Sequence, residues 1–216
     1  MRVLDLFAGT GSATQPFEDA GHEVIKVEMN EQFDADLHAD ISLTSPTDLR
    51  QLGTGGDYDF VWASPPCTAF SVASIGHHWT GGHRAYVPKT EFARYSINLV
   101  WHTLRLINAA TKHDGHYVIE NPRGVLRKLG PVQGLDRSTV WYCQYGDARA
   151  KPTDLWHNLP ITWQALACKN GNPDHEPAPR GAKTGTQGLS KTERSMVPYA
   201  LGKSILDVLG GGGERF

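Results

Sequence analysis

The sequence holds only 3 cysteines in 216 residues, and they follow no regular spacing. That argues against a disulfide framework and suits a reducing compartment. No stretch approaches the ~18 to 20 consecutive apolar residues that a membrane span needs. No membrane partner is therefore expected. The opening MRVLDLFAG lacks the basic start, apolar core and cleavage site of a signal peptide, so a cytoplasmic protein is expected. Internal repeats are absent. His77, His78 and His83 have no cysteine or acidic ligand at metal-site spacing and read as solvated loop histidines. Cys168 and His175 form no zinc pattern either, so no metal is expected.

What remains is an ordinary globular composition, with 39% hydrophobic and 20% charged residues. The length fits one domain with at most a small appendage, and a monomer is expected. The net charge of -2 hides an asymmetry. Residues 1–60 carry 3 Lys/Arg against 12 Asp/Glu, and residues 61–216 carry 18 against 11. A basic remainder is compatible with a polyanionic partner, because phosphate contacts dominate nucleic-acid affinity. Uneven charge on a solvated surface explains the same numbers.

The first third alternates strands and helices. Arg2–Phe7 reads as a buried strand ending in a glycine turn, residues 13–20 as a short helix, and His22–Glu28 as a second strand. Leu37–Ile41 suits a third strand, and Asp59–Ala63 a fourth, stopped by Ser64-Pro65-Pro66. Residues 91–110 predict a helix with Phe92, Leu99, Val100, Leu104 and Ile107 on one face. His116–Ile119 predicts a strand, Pro122 the first turn of another helix, and Thr139–Tyr145 and Leu155–Trp163 two further strands. Pro198–Leu209 predicts a terminal helix. The alternation argues for an α/β domain with a mostly parallel sheet. Residues 1–163 and 195–216 then form the catalytic domain, and the Gly-, Pro- and Lys-rich 164–194 a loop or linker.

Three segments carry chemistry. Asp5-Leu6-Phe7-Ala8-Gly9-Thr10-Gly11-Ser12 runs from strand to glycine turn, letting a ligand approach the backbone. Glu28 ends the next strand, where a carboxylate accepts hydrogen bonds from ribose hydroxyls, and Asp40 can meet the amine of an adenine. Ser64-Pro65-Pro66-Cys67 places a thiol past the end of a central strand, its approach fixed by two prolines. A lone cysteine is usually inert packing, but the thiolate is reactive where its surroundings allow. Glu120-Asn121-Pro122-Arg123 puts a carboxyl at another strand end, where desolvation raises its pKa. Asn121 also suits a helix N-cap. Together these groups describe one reaction. Cys67 adding to carbon 6 of a cytosine would make carbon 5 nucleophilic, Glu120 at the N3 edge would ease that addition, and a sulfonium donor would then give its methyl.

These motifs resemble the DNA (cytosine-5) methyltransferases. DLFAGTGS is similar to the family's cofactor loop, SPPCTAFS to its proline-cysteine motif, IENPR to its Glu-Asn motif, and PYALGKSI to its terminal helix. They occur in the family's order and span residues 4 to about 208. The resemblance implies a Rossmann-like class I methyltransferase fold, S-adenosylmethionine as cofactor, and double-stranded DNA as partner. Phe7, Ala8, Gly9, Thr10 and Gly11 would surround the cofactor, with Glu28 on its ribose and Asp40 at its adenine. Met29, Ile41, Pro65 and Ser204 would complete that pocket. Cys67 would be the nucleophile and Glu120 its partner, acting on a base flipped from the duplex.

Three departures stand out. Thr68 replaces the glutamine often found after the cysteine. In place of the family's Gln-x-Arg-x-Arg segment, Arg149 and Lys151 are the nearest basic residues. The large target-recognition region is missing, leaving 164–194 to read DNA as in compact phage-encoded relatives, including those of restriction-modification systems. DNA contacts are expected from Ser71, Arg84, Arg123, Lys183, Thr184, Thr186 and Gln187. The stretch 180–188 suits phosphate contacts or a plain linker equally. The loop after Cys67, with Gly76, Gly81 and Gly82, is expected to close over DNA. Rival readings are an RNA cytosine-5 methyltransferase, a non-catalytic DNA-binding homologue, and a modified form of the donor.

Overall fold

A computed structural model describes residues 1–82, 85–169, 172–177 and 188–210. Arg84, Lys183, Thr184, Thr186 and Gln187 lie outside the described residues.

A seven-stranded sheet forms the centre of the fold. Its strands are β1 (Arg2–Leu6), β2 (Glu23–Glu28), β3 (Leu37–His38), β4 (Tyr58–Ala63), β7 (Thr111–Pro122), β8 (Arg137–Trp141) and β9 (Pro152–His157), ordered β3-β2-β1-β4-β7-β9-β8. The five strands from β3 to β7 are parallel to their neighbours, and β9 runs antiparallel to both β7 and β8. The sheet is thus mostly parallel, as the alternation predicts. A separate antiparallel pair, β5 (Trp79–Thr80) with β6 (Val87–Pro88), lies in the segment after Cys67. The helices are α1 (Gln15–Asp19), α2 (Pro46–Arg50), α3 (Ile75–His78), α4 (Glu91–Ala110), α5 (Lys191–Ser195) and α6 (Tyr199–Gly210). Among the described residues no helix is long and apolar enough to cross a membrane.

Burial follows position in the sheet. Central β1 is buried along its whole length, whereas in β2 Ile25 and Val27 are buried and Lys26 and Glu28 only partly. Pleating sends alternate residues of β1 to opposite faces. Leu4 and Leu6 pack with Leu99, Val100 and Leu106 of α4, and Val3 packs with Phe17 of α1 and Leu201 and Ile205 of α6. The result is three layers with helices on both faces. Helices α1 and α6 approach closely at Gly202, where an added Cβ would overlap the carbonyl oxygen of Ala13.

Helix α4 has the predicted bounds, with Thr90 as N-cap accepting from Ala93 N. Its buried face differs from the prediction. Phe92 is 42% exposed, while Ser96, Thr103 and Leu106 are buried. Ser96 and Thr103 are tolerated there because each hydroxyl donates to the carbonyl four residues back, at 2.8 Å.

Other expectations are corrected. No α-helix follows Pro122. That residue stays in register with Thr153 of β9, and the chain turns through 3-10 segments at Leu126–Lys128 and Gly130–Val132. Asn121 consequently caps no helix; its Nδ2 donates to Pro65 O at 2.8 Å. Residues 142–145 form a 3-10 turn ended by Gly146 at φ 92°, so β8 stops at Trp141. His78 is buried rather than solvated, its Nδ1 2.8 Å from Thr90 Oγ1. The segment after Cys67 is not a plain loop. It carries α3 and the β5–β6 pair, anchored by buried Trp79, whose Nε1 donates to Ala69 O at 2.6 Å.

Candidate active site

The strand order reverses between β1 and β4, and in open parallel sheets ligands bind at that switch point, past the carboxyl ends of the strands. A cleft of about 450 Å³ opens there. Its walls come from successive strand ends: Phe7, Ala8, Gly9 and Thr10 after β1, Glu28 and Met29 at β2, Asp40 and Ile41 after β3. Pro65 and Cys67 follow β4, and Glu120 lies at the end of β7. Lys151 arrives differently. Because β9 is antiparallel, the residue before it lies at the same edge as the ends of the parallel strands.

The turn after β1 is built for close approach. Gly9 and Gly11 have φ of 52° and 70°, and Phe7 is left-handed at 62°. A left-handed non-glycine residue costs of order 1–3 kcal/mol, which the surrounding fold must offset. No heavy atom lies within 4 Å of where a Gly9 Cβ would stand, so the space over the turn is open to a ligand. Glu28 steadies the turn: Gly9 N donates to its Oε2 at 2.9 Å and Asn30 N to its Oε1 at 2.8 Å. Two lone-pair-rich carboxylates, Glu28 and Asp40, flank apolar Phe7, Met29, Phe33 and Ile41. Acceptors beside an apolar slot fit a ribose and an adenine. The volume lies within the ~300–1,000 Å³ of small-molecule sites.

At the other end of the cleft stand Cys67, Glu120 and Lys151. The Cys67 carbonyl accepts from Phe70 N and Ser71 N, both at 2.9 Å, which closes a turn around the thiol. Burial pushes the Cys67 thiol up, as does the charge of Glu120, while Lys151 and Arg194 pull it down. Glu120 is 6% exposed. Its pKa is raised by burial, against the opposing effects of Lys151, Tyr142 and Ser64. Lys151 is lowered, again by burial first, with Glu120 acting to raise it. It is held by Nζ donation to Arg194 O at 2.9 Å and lies 4.3 Å from the Tyr142 ring centre.

Several predicted residues lie elsewhere. Arg149 does not line the cleft; it is buried in an ion pair with Asp147, its Nε 2.9 Å from Oδ1. Gly11 sits behind the turn against Lys26. Ser204 accepts from Trp163 Nε1 at 3.2 Å, on the α6 side of the sheet. Ser71 caps the 3-10 turn Val72–Ser74, and the Arg123 guanidinium lies 5.8 Å from the Trp141 ring centre.

Sequence reasoning missed four lining residues that matter. Ser64 stands between Trp62, whose Nε1 donates to its Oγ at 2.8 Å, and Glu120. Lys191, Arg194 and Ser195 come from α5. A signal for α5 was present: Ser190 and Glu193 form a capping box, a pattern readable as S-x-x-E.

Comparison with known proteins gives the family. The sequence profile of the family "C-5 cytosine-specific DNA methylase" matches residues 1–128. A "Probable DNA (cytosine-5)-methyltransferase" of Frog virus 3 (isolate Goorha) is 26% identical over 224 residues, spanning 96% of this chain and 100% of that protein. Among solved structures, the S. pombe Dnmt2 methyltransferase is 17% identical with a TM-score of 0.46, over 78% of this chain and 50% of its own. TrmN from Thermus thermophilus is 18% identical with a TM-score of 0.43, over 73% of this chain and 43% of its own. This chain thus spans half or less of the length of those two structures. The profile match covers more than half of the sequence, from the glycine turn through the Glu-Asn motif. On that match the chain belongs to the C-5 cytosine-specific DNA methylases, as a methyltransferase that draws on S-adenosylmethionine.

Proposed function

We propose that this chain methylates carbon 5 of a cytosine flipped out of duplex DNA, through a transient covalent bond from Cys67. One observation carries the reading: a single cleft is lined by the Cys67 thiol, the Glu120 carboxyl, the Lys151 ammonium and the glycine turn with Glu28.

Phe7, Gly9, Glu28 and Asp40 would hold S-adenosylmethionine, which supplies an electrophilic methyl on its sulfonium. Cys67 Sγ, as thiolate, forms a bond to carbon 6 of the cytosine. Glu120 donates its proton to the N3 edge as the ring takes up the electron pair. A carboxyl whose pKa is raised by burial suits that task. Lys151 stabilises negative charge on the sulfur before attack and on the carboxylate after it. Carbon 5 would then take the methyl and leave the donor as a thioether. The carbon 5 proton would leave to solvent, the S–C6 bond would break to return the thiolate, and N3 would return its proton to Glu120. Asn121 ties the end of β7 to the Pro65 carbonyl, holding the carboxyl-bearing strand against the cysteine turn.

Residues 164–194 would read the DNA between a catalytic domain at 1–163 and its returning helix at 195–216. Lys191 and Arg194 bring positive charge from this segment to the cleft mouth, where a phosphate would lie. Ser71 and Arg123, just beyond Cys67 and Glu120, would meet the strand that carries the target base.

The test combines purified protein, S-adenosylmethionine and mixed-sequence duplex DNA, with nucleosides analysed by mass spectrometry. A 5-methylcytosine signal that vanishes for Cys67→Ala is expected. Methylation of RNA instead of DNA, or DNA binding without transfer, would replace this reading with one of its rivals.

A further inference from the structure

Two buried cysteines take no part in the cleft. Cys143 and Cys168 are 8% and 7% exposed, and neither lines it. They come from separate stretches: Cys143 from the 3-10 turn after β8, and Cys168 from the segment that follows β9. His175 reaches the same point. The ligand atoms of Cys143, Cys168 and His175 all lie within 4.8 Å of one another, with Cys168 Sγ 3.5 Å from His175 Nδ1. Adjacent ligand atoms of a tetrahedral zinc, with Zn–S near 2.3 Å and Zn–N near 2.0 Å, are separated by about 3.5–3.8 Å. The cluster is therefore close to coordination geometry.

We propose that Cys143, Cys168 and His175 bind a zinc ion that fastens residues 166–169 and 172–176 to the turn after β8. The donor set is the soft S₂N type that selects zinc over calcium or magnesium. On binding, each thiol releases its proton to solvent and His175 coordinates as neutral imidazole through Nδ1. Two thiolates cancel the charge of the dication, so the buried site holds no net charge. Water takes the fourth corner.

The segment has a physical need for such a tie. Residues 164–169 and 172–177 contain no helix or strand and few large apolar residues to bury. They are held by scattered contacts: Trp141 N to Leu166 O at 3.1 Å, Glu176 N to Ala148 O at 2.8 Å, and Gln144 Nε2 to Asp174 Oδ2 at 2.8 Å. A metal joining both stretches supplies the ordering energy that apolar burial does not. The spacing explains why the sequence conceals it. Cys168 and His175 alone match no zinc pattern, and the third ligand stands before β9.

The experiment measures metal in protein expressed with added zinc and passed through gel filtration. About one zinc per chain is expected for the wild type and for Cys67→Ser, and under a tenth for Cys168→Ser and His175→Ala. Cobalt in place of zinc should give thiolate-to-metal absorption in the near ultraviolet. Should a variant fail to fold, the wild type decides alone. Removing its metal with a chelator should speed tryptic cleavage after Lys169 at least tenfold, and returning zinc should reverse it. Wild-type protein that holds less than a tenth of an equivalent and shows no cobalt absorption would overturn the proposal. A Cys143–Cys168 disulfide in freshly purified protein, or cleavage indifferent to zinc, would do the same.

Discussion

Tyr142 donates its phenolic hydrogen to Oε1 of Glu120 at 2.8 Å, and both groups are buried. The bond runs from the turn after β8 to the end of β7, so it helps fix the orientation of a carboxyl that lines the cleft. Tyr142→Phe leaves the carboxyl without this donor. An unsatisfied buried partner costs ~1–3 kcal/mol. The expected outcome is a kcat lowered by roughly tenfold with the affinity for S-adenosylhomocysteine unchanged. Steady-state kinetics beside calorimetry checks it, and a kcat within twofold of wild type would remove Tyr142 from this role.

Lys151 is the cation that pulls down both Cys67 and Glu120. Taking its charge away must raise both pKa values. In Lys151→Gln the pH at which Cys67 reacts half-maximally with iodoacetamide should rise by the order of one unit. Cys143 and Cys168 are buried, so alkylation reports on Cys67, which is partly exposed. An unchanged midpoint contradicts the coupling.

The contrast between Lys151 and Arg149 shows where the sequence stops being informative. Two positions apart, both stand near the place of the missing arginines; Lys151, directly before antiparallel β9, lines the cleft, while Arg149 is taken up by Asp147. By contrast, the meeting of Cys67, Glu120 and Glu28 in one cleft was readable, because each lies at or just past the end of an apolar run and a parallel sheet gathers such ends on one edge. Helix α4 was readable in extent but not in rotation, since buried Ser96 and Thr103 hide their polarity in bonds to their own helix. Pro122 misled because a proline opening a helix and one ending a strand look alike in sequence. Pairing with Thr153 settles the matter, and that contact is tertiary. The meeting of Cys143 with Cys168 and His175 is of the same kind.

Asp5 gives a pH dependence. Burial raises its pKa to about 7, only partly offset by the hydrogen bond from Thr14. An unfolded aspartate titrates near ~3.9, so the folded state holds the proton more tightly. This group's stabilising effect is complete below about pH 4 and lost as pH rises toward 7. The loss is of order 4 kcal/mol at ~1.36 kcal/mol per unit. Urea midpoints at pH 5 to 8 should fall more steeply for wild type than for Asp5→Asn. Parallel curves would refute the assignment.

Glu28 accepts from the Gly9 amide and lines the cleft, where the proposal places it on the ribose of the cofactor. Glu28→Ala removes charged acceptors whose hydrogen bonds contribute ~1.5–3 kcal/mol each. Titration calorimetry with S-adenosylhomocysteine should show binding weakened roughly ten- to hundredfold. An unchanged dissociation constant would place the ribose elsewhere.

The most direct test of the central claim uses duplex DNA in which cytosine is replaced by 5-fluorocytosine. Fluorine at carbon 5 cannot leave as a proton does, so the S–C6 bond formed before methyl transfer cannot break afterwards. With S-adenosylmethionine present, the account predicts a covalent protein–DNA species whose digested peptide carries the nucleotide on Cys67. It also predicts no such species for Cys67→Ala. An adduct on Cys143 or Cys168, or methylation of ordinary DNA with no adduct formed, would contradict it.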